Sequence, residues 1–468
     1  MSQKLFTLGP VEMFDYTRER TLGQLPYFRT EEFSRIHLEC SQRLRRLAGA
    51  PEDSHVYLLT CSGTGAMEAV VGGCFSGAAG GAAGAALALS GGGTTEGCAA
   101  GAGSLAPAGD GAVVGAGAGS LASAGDRLLV VEGGGFGSRF AELAAFHRIP
   151  NESIKLSFGE ALTPHMLDRF AASKRAFGET LMPDMPDRFA ADVSNNNVGG
   201  VSGDAACGKA SDGNAASGNA VCRETASREA GSLGNFTGLL VNLHETATGQ
   251  LYDKDLLAVF CRRHGLYFVC DAISSFLADP LDFEKDGIDA LIISTQKALA
   301  LPPGFSIVIL SDRLYRRMLD REIRPFSLYF DFRDAEANAV RGQTPFTPAV
   351  GMILALRARL ERLEAEGGAE ASVARTKALA EDFRARIKGL VDRGAIALPA
   401  HPLSNACTPL VFPGGGAEKA YRRLSQDYGL WLNPNGGALA DTVLRVGHLG
   451  NLGYDDNILL AERLAAVL

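Results

Sequence analysis

The chain has 468 residues, 46% of them apolar and 21% charged, with a net charge of −8. That balance describes an ordinary globular protein long enough for more than one domain, and it excludes a broad basic face for nucleic acid. No apolar run approaches the roughly 18–20 residues that a bilayer-spanning helix needs. The amino terminus, "MSQKLFTLGPVEMFDYTRE", has no secretory-leader layout. Nine cysteines without metal-like spacing read as reduced thiols in a cytoplasmic protein, and no metal site is expected.

In chain order, "SHVYLLTCSGTGAMEAVVGGCF" reads as strand, glycine turn, helix. Its Ser62, Gly63 and Thr64 stand where free N–H groups at a helix start suit a phosphate. A plain Gly turn before a helix is the bland alternative. Residues 77–120 are mostly Gly and Ala, and 193–234 are rich in Gly, Asn, Ser and Ala. Both carry local duplications: "GAGSLAPAGD" recurs as "GAGSLASAGD", and "LTPHMLDRFAA" loosely as "LMPDMPDRFAA". Neither shows strand or helix periodicity or enough apolar surface to offset its ordering entropy. They are expected to be disordered insertions, bounded at 77–125 and 173–234, in an otherwise conventional core. A lid or docking segment is the alternative.

"DRLLVVEGGGFGSRFAELAAFHRI" repeats the scheme, with a strand over 128–131, a glycine turn and a helix from about Ser138. Phe136 in that turn could stack on a flat ring or simply pack in its loop. "TGLLVNLHETATGQLYDKDLLAVFCRRHG" does the same with a longer loop, in which Thr246 and its polar neighbours could bond a ligand. "LYFVCDAISSF" is a strand ending in Asp271, a carboxylate that wants a cationic partner or serves as a helix N-cap. "IDALIISTQKAL" is another strand, followed by Lys297, and "FSIVILSDRLYRRML" follows the strand–helix scheme again. A lysine at a strand end snorkels in the bland reading. In the functional one it forms a Schiff base, with its pKa lowered in a dry or cationic site.

From about residue 348 a long helix is expected, ending at a Gly pair, then a second helix and short strands in "TPLVFP" and "VLRVGHLG". Strands alternating with helices give an α/β fold whose mostly parallel sheet binds ligands at the carboxyl ends of its strands. The expected organisation is a large domain over 1–345 and a smaller α+β domain over 346–468. A phosphate cradle, an aromatic stacker, an acid for a pyridinium and a Schiff-base lysine are what pyridoxal phosphate requires.

With these residues in place the chain resembles the class V (fold type I) pyridoxal-phosphate aminotransferases. It is most similar to the alanine–glyoxylate, serine–pyruvate and 2-aminoethylphosphonate–pyruvate group. The stretches that carry the resemblance are "LGPVEM", "SGTGAMEAV", "GGGFGSRF", "HETATG", "DAISSF", "STQKAL", "QTPFTP" and "LRVGHLGNL". The resemblance implies that Lys297 holds the cofactor and acts as general base and acid, and that Asp271 pairs with the pyridine nitrogen. It further implies Phe136 on the ring, Thr246 near it, and Ser62, Gly63, Thr64 and Gln296 on the phosphate. Thr347 would reach the phosphate of a second subunit, hence a homodimer with shared sites.

Arg445 matches the arginine that holds the substrate carboxylate, and a guanidinium grips such a group in bidentate fashion. Gly9, Arg29 and Arg341 are further substrate-side candidates, the arginines as anion clamps. The implied reaction is a ping-pong amino transfer from 2-aminoethylphosphonate, alanine or serine to pyruvate or glyoxylate. Two alternatives compete. One is a cysteine desulfurase, for which Cys407 would have to be a mobile nucleophile and not a structural thiol. The other is a non-catalytic relative serving as a binding module.

Overall fold

A computed structural model describes residues 3–20, 24–77, 125–179, 233 and 236–468. Strand β1 (Lys4–Leu5) is followed by helices α1 (Asp15–Arg20) and α2 (Glu31–Ala48). Thr30 caps α2 through its side chain, and Gly49 ends it in the left-handed region at φ 64. Then come β2 (His55–Leu59), α3 (Gly63–Cys74), β3 (Leu128–Glu132), α4 (Gly135–Phe146), β4 (Asn151–Lys155) and α5 (Pro164–Glu179).

The middle of the chain gives β5 (Gly238–Asn242), the short pair β6 (His244–Glu245) and β7 (Gln250–Leu251), then α6 (Lys254–His264). It continues with β8 (Tyr267–Asp271), β9 (Ala290–Ser294), β10 (Ser306–Leu310), α7 (Asp312–Asp320) and α8 (Phe332–Ala339). The last part holds α9 (Val350–Ala365), α10 (Gly368–Arg386), α11 (Lys388–Asp392) and β11 (Cys407–Val411). After these come α12 (Ala417–Tyr428), β12 (Leu430–Trp431), β13 (Asn433–Pro434), β14 (Val443–Gly447) and α13 (Tyr454–Val467).

Seven strands form the central sheet in the order β2-β10-β9-β8-β5-β3-β4. The pairings from β9 through β8, β5 and β3 to β4 are parallel, and β10 runs antiparallel to both neighbours. β5, β9 and β10 are buried at every residue, as expected of strands covered on both faces. Because β10 is reversed, β2 and β9 point the same way. The carboxyl ends of β2, β9, β8, β5 and β3 therefore share one edge, where the sequence places its distinctive residues.

A second, three-stranded sheet runs β11-β14-β13 and has its own core of Phe383, Leu410, Leu424, Leu444 and Leu460. The apolar cores do not follow the expected division at 345. Val350, Ile353, Leu356 and Leu360 of α9 pack into the first core. At the other end β1 pairs with β12, and Phe6 is buried in the C-terminal core.

The insertion boundaries also move. Of the stretches expected to be disordered, 77–125 and 173–234, residues 78–124, 180–232 and 234 lie outside the described residues. α5, however, continues through the expected start at 173, because Lys174 pairs with Glu152 of β4 and lies over the Phe170 ring. Leu233, assigned to the insertion, is 2% exposed and belongs to the first core. α4 begins at Gly135, not near Ser138, so Phe136 is in its first turn. Among the described residues no helix is long and apolar enough to cross a membrane.

Candidate active site

Lys297 follows β9 in a short loop that closes on itself. Thr295 Oγ1 donates to the Pro302 carbonyl at 2.6 Å, Leu301 N to the Thr295 carbonyl at 3.0 Å, and Ala300 N to the Lys297 carbonyl at 2.8 Å. Every one of these bonds holds main chain, so the side chain of Lys297 leaves a fixed platform. Gly9 lies against it, and a Cβ there would come within 3.0 Å of Lys297 Cδ and 3.2 Å of the Gln296 carbonyl. With φ at +149 as well, only glycine lets the N-terminal segment cover the lysine stem.

Asp271 ends β8, the neighbouring parallel strand, and is 5% exposed. Burial pushes its carboxyl up to about 7, against the Ile273 N–H that it accepts at 2.8 Å and the charge of Lys297. Burial pushes the Lys297 amine down to about 8, Asp271 opposing and Arg445 adding to the shift. The two groups lie within electrostatic reach of each other, each desolvated, and among the described residues no cation forms an ion pair with Asp271. A buried acid and a half-buried, neutralisable amine are the perturbed pair expected at a reactive site.

The loop after β5 supplies the third side. Thr246 is buried, its hydroxyl 3.0 Å from Ser274 Oγ. Glu245, which the sequence reading passed over, is fully buried and accepts from Gly137 N at 3.0 Å, Ala247 N at 3.0 Å and Asn242 Nδ2 at 3.1 Å. It thus caps the start of α4 and fixes the turn that carries the exposed Phe136. Its signal in the sequence was an acid inside "HETATG", directly behind an apolar strand.

At the end of β2, Ser62 caps α3 by accepting from Gly65 N at 3.3 Å, and Thr64 is exposed in the first turn. Gly63 is packed so closely that a Cβ would lie 2.4 Å from Ile273 Cδ1, two residues beyond Asp271. Gln296 accepts from Ser294 Oγ at 2.6 Å. Arg445 comes from β14 of the second sheet. Its Nη1 donates to the Thr246 carbonyl at 3.0 Å and its Nη2 to the Pro434 carbonyl at 2.8 Å.

The remaining candidates are not brought into this cluster. Arg29 donates to Gln343 Oε1 at 3.0 Å and to the Thr344 carbonyl at 3.1 Å, and Arg341 to Asn338 Oδ1 at 2.5 Å. Neither is among the charges acting on Lys297, Asp271 or Arg445. Thr347 is exposed, next to Phe346, whose ring stacks on Tyr329 at 5.3 Å. Thr347, Thr60 and Tyr329 line a separate cavity of about 40 Å³, room for a few waters only. Cys407 opens β11, fully buried, and burial pushes its thiol up to about 12. A strand-bound protonated thiol is a structural cysteine, not a mobile nucleophile. Among the described residues there is no metal-binding group of three or more ligands.

The residues fit pyridoxal phosphate by the chemistry of the donor set. A buried carboxyl, a depressed lysine amine and the start of α3 converge on one sheet edge. The family model described as "Aminotransferase class-V" matches residues 234–437. The alanine–glyoxylate aminotransferase of Oryctolagus cuniculus is 30% identical over 229 residues, 48% of this chain and 57% of that one. The 2-aminoethylphosphonate–pyruvate transaminase 2 of Paraburkholderia xenovorans is 40% identical over 132 residues, 28% of this chain and 35% of that one. These matches thus span between about a third and three fifths of the relatives' own length. A solved alanine–glyoxylate aminotransferase from Nostoc sp. shares the fold with a TM-score of 0.71 at 17% identity, covering 100% of this chain and 95% of its own. Over residues 234–437 the chain is similar to the class-V aminotransferases.

Proposed function

We propose that the protein is a pyridoxal-phosphate aminotransferase that moves an amino group from a small donor to pyruvate or glyoxylate. The donor class is 2-aminoethylphosphonate, alanine or serine. The observation that carries this reading is the buried Asp271 beside the half-buried, desolvated Lys297 amine at adjoining strand ends, with Arg445 of the second sheet among the charges acting on Lys297. A pure binding module gains nothing from keeping a desolvated amine beside a desolvated acid.

Pyridoxal phosphate supplies an aldehyde that takes up amines and a ring that accepts an electron pair from the carbon bearing the amine. Lys297 would hold it, and Nζ, once freed, is the base that takes the proton from that carbon. Asp271 would give the pyridinium the counter-charge that its own burial denies it, keeping the ring nitrogen protonated. Ser62, Gly63, Thr64 and Gln296 would take the phosphate, Phe136 the ring face, and Arg445 the carboxylate. Thr347 stands on the surface, so its contribution to a phosphate would need a second copy of the chain.

Support for the substrate class comes from the two relatives, one named for alanine and glyoxylate and one for 2-aminoethylphosphonate and pyruvate. The test is the visible absorbance of the purified, cofactor-loaded protein as donors are added one at a time. Bleaching by one donor and recovery with pyruvate or glyoxylate is the expected result. A protein that takes up cofactor but responds to no donor would sink the transaminase reading.

A further inference from the structure

Helix α4 has Gly134 at its N-cap, so its first turn receives no side-chain bond from that position. The cap comes instead from far along the chain. Glu245 of β6 is fully buried, and its Oε2 accepts from Gly137 N at 3.0 Å and Asn242 Nδ2 at 3.1 Å, while its Oε1 accepts from Ala247 N at 3.0 Å. All three donors are neutral N–H groups. A hydroxyl at the N-cap would serve the helix without burying a carboxylate. Helix stability alone therefore does not account for an acid at 245.

What the acid adds is position. The glycine turn ahead of α4 presses on the β6–β7 hairpin: a Cβ at Gly134 would lie 2.6 Å from Glu245 Cδ, and one at Gly133 would lie 2.0 Å from Tyr252 Oη. The hairpin is itself held. Arg445 Nη1 donates to the Thr246 carbonyl at 3.0 Å, and Asn435 Nδ2 to the Ala247 carbonyl at 3.0 Å. Glu245 thus ties the first turn of α4, with Phe136 in it, to the loop that Arg445 holds. Phe136 is 43% exposed, so burial does not fix its ring. The charge of Glu245 acts on both Asp271 and Arg445, which puts the tie within electrostatic reach of the candidate site.

We propose that Glu245 is a positioning residue for the cofactor: by holding the Gly133–Gly137 turn on the hairpin it sets the height and tilt of Phe136 over the pyridine ring. This rests on the aminotransferase reading, in which Phe136 takes the ring face. Glu245 touches no reacting atom and acts through Phe136, which separates its role from general stabilisation.

The test titrates apoprotein with pyridoxal phosphate and records the circular dichroism of the cofactor band. The proteins are wild type, Glu245→Ala, Glu245→Gln, Phe136→Leu and the double variant Glu245→Ala, Phe136→Leu. Phe136→Leu is expected to weaken cofactor affinity about tenfold through lost stacking. Glu245→Ala is expected to do the same, and the double variant to lose about tenfold in all, not the roughly hundredfold of independent sites. Glu245→Gln can keep an amide oxygen on Gly137 N and Asn242 Nδ2, so affinity should return to within about threefold of wild type, with the wild-type dichroism. Additive losses in the double variant would overturn the proposal, and so would unchanged affinity in Phe136→Leu. Wild-type affinity and dichroism in Glu245→Ala, with only a lower melting temperature, would mark a purely structural acid and overturn it too. Should Glu245→Ala fail to fold, Glu245→Asp, whose carboxylate stops one methylene short, is read in the same way. A wild-type protein that takes up no pyridoxal phosphate overturns the aminotransferase reading itself, an outcome visible before any variant is made.

Discussion

Arg445 donates to the main-chain oxygen of Thr246 at 3.0 Å, and so joins the three-stranded sheet to the carboxyl end of the central one. The bond places a guanidinium from β14 beside the loop that carries Glu245 and His244. Arg445→Lys keeps a positive charge but loses the planar fork that bonds two carbonyls at once. The expected outcome is a rise of about ten- to a hundredfold in KM for the 2-oxo acid, with the cofactor absorbance retained. Steady-state kinetics beside a spectrum of the loaded protein check both halves.

Lys297 gives a pH signature. An amine must be neutral to attack an aldehyde. With its pKa pushed down to about 8, roughly half of Lys297 is neutral at pH 8, against about 0.3% for an ordinary lysine. The rate of cofactor capture by apoprotein should therefore rise with pH and level off above about pH 8. Stopped-flow absorbance across pH 6–10 measures it. A rate still climbing tenfold per unit at pH 10 would show an unperturbed lysine. Lys297→Ala should show no covalent capture at any pH.

Asp271 sets function against stability. Its folded pKa, about 7, lies above the ordinary 3.8, so the stability tied to its protonated form is fully present below about pH 4 and lost as pH rises through 7. Asp271→Asn removes that loss. The apoprotein of Asp271→Asn should melt no lower than wild type at pH 8, while turnover falls at least a hundredfold for want of a pyridinium partner. Thermal melts of both apoproteins at pH 5 and pH 8 test the sign. A variant that melts well below wild type at pH 8 would contradict the assignment.

The described residues on either side of the first expected insertion are tied to each other. Asp126 N donates to the Ser76 carbonyl at 2.7 Å, and Ser76 N returns a bond to Asp126 Oδ2 at 2.9 Å. Asp126 is fully buried and also meets Arg317 and Thr237 Oγ1. This stem lies at the amino ends of β3 and β5, opposite the edge that carries Lys297. Replacing residues 78–124 by a short glycine–serine turn should leave cofactor affinity within about twofold and the melting temperature unchanged or higher. Asp126→Ala should instead destabilise by about 3–5 kcal/mol, since it strands the buried Arg317. Chemical denaturation of the two variants separates these outcomes.

Cys407 tests the desulfurase alternative. Its thiol, pushed up to about 12 within β11, should resist alkylation in the folded protein. Cys407→Ser should keep amino transfer within about threefold. Sulfide released from cysteine by wild type and lost in Cys407→Ser would overturn the reading.

The sequence by itself placed Asp271 and Lys297 at the ends of apolar strands. Apolar runs of five residues ending in Asp271 or leading to Lys297 cannot be exposed, and a parallel sheet puts such ends on one edge. Nearest-neighbour pattern is sufficient for that. The tertiary structure decided what depends on contacts far apart in the chain. It reversed β10 through its pairing with β2 and β9, and it put β1 and α9 into cores on the far side of the expected boundary. It tied Arg29 and Arg341 to their own neighbours, where a count of arginines could not tell an anion clamp from a surface brace. Glu245 and His244 went unassigned for the same reason. Both follow an apolar strand, but only packing shows that both are buried and that Glu245 spends its carboxylate on three donors.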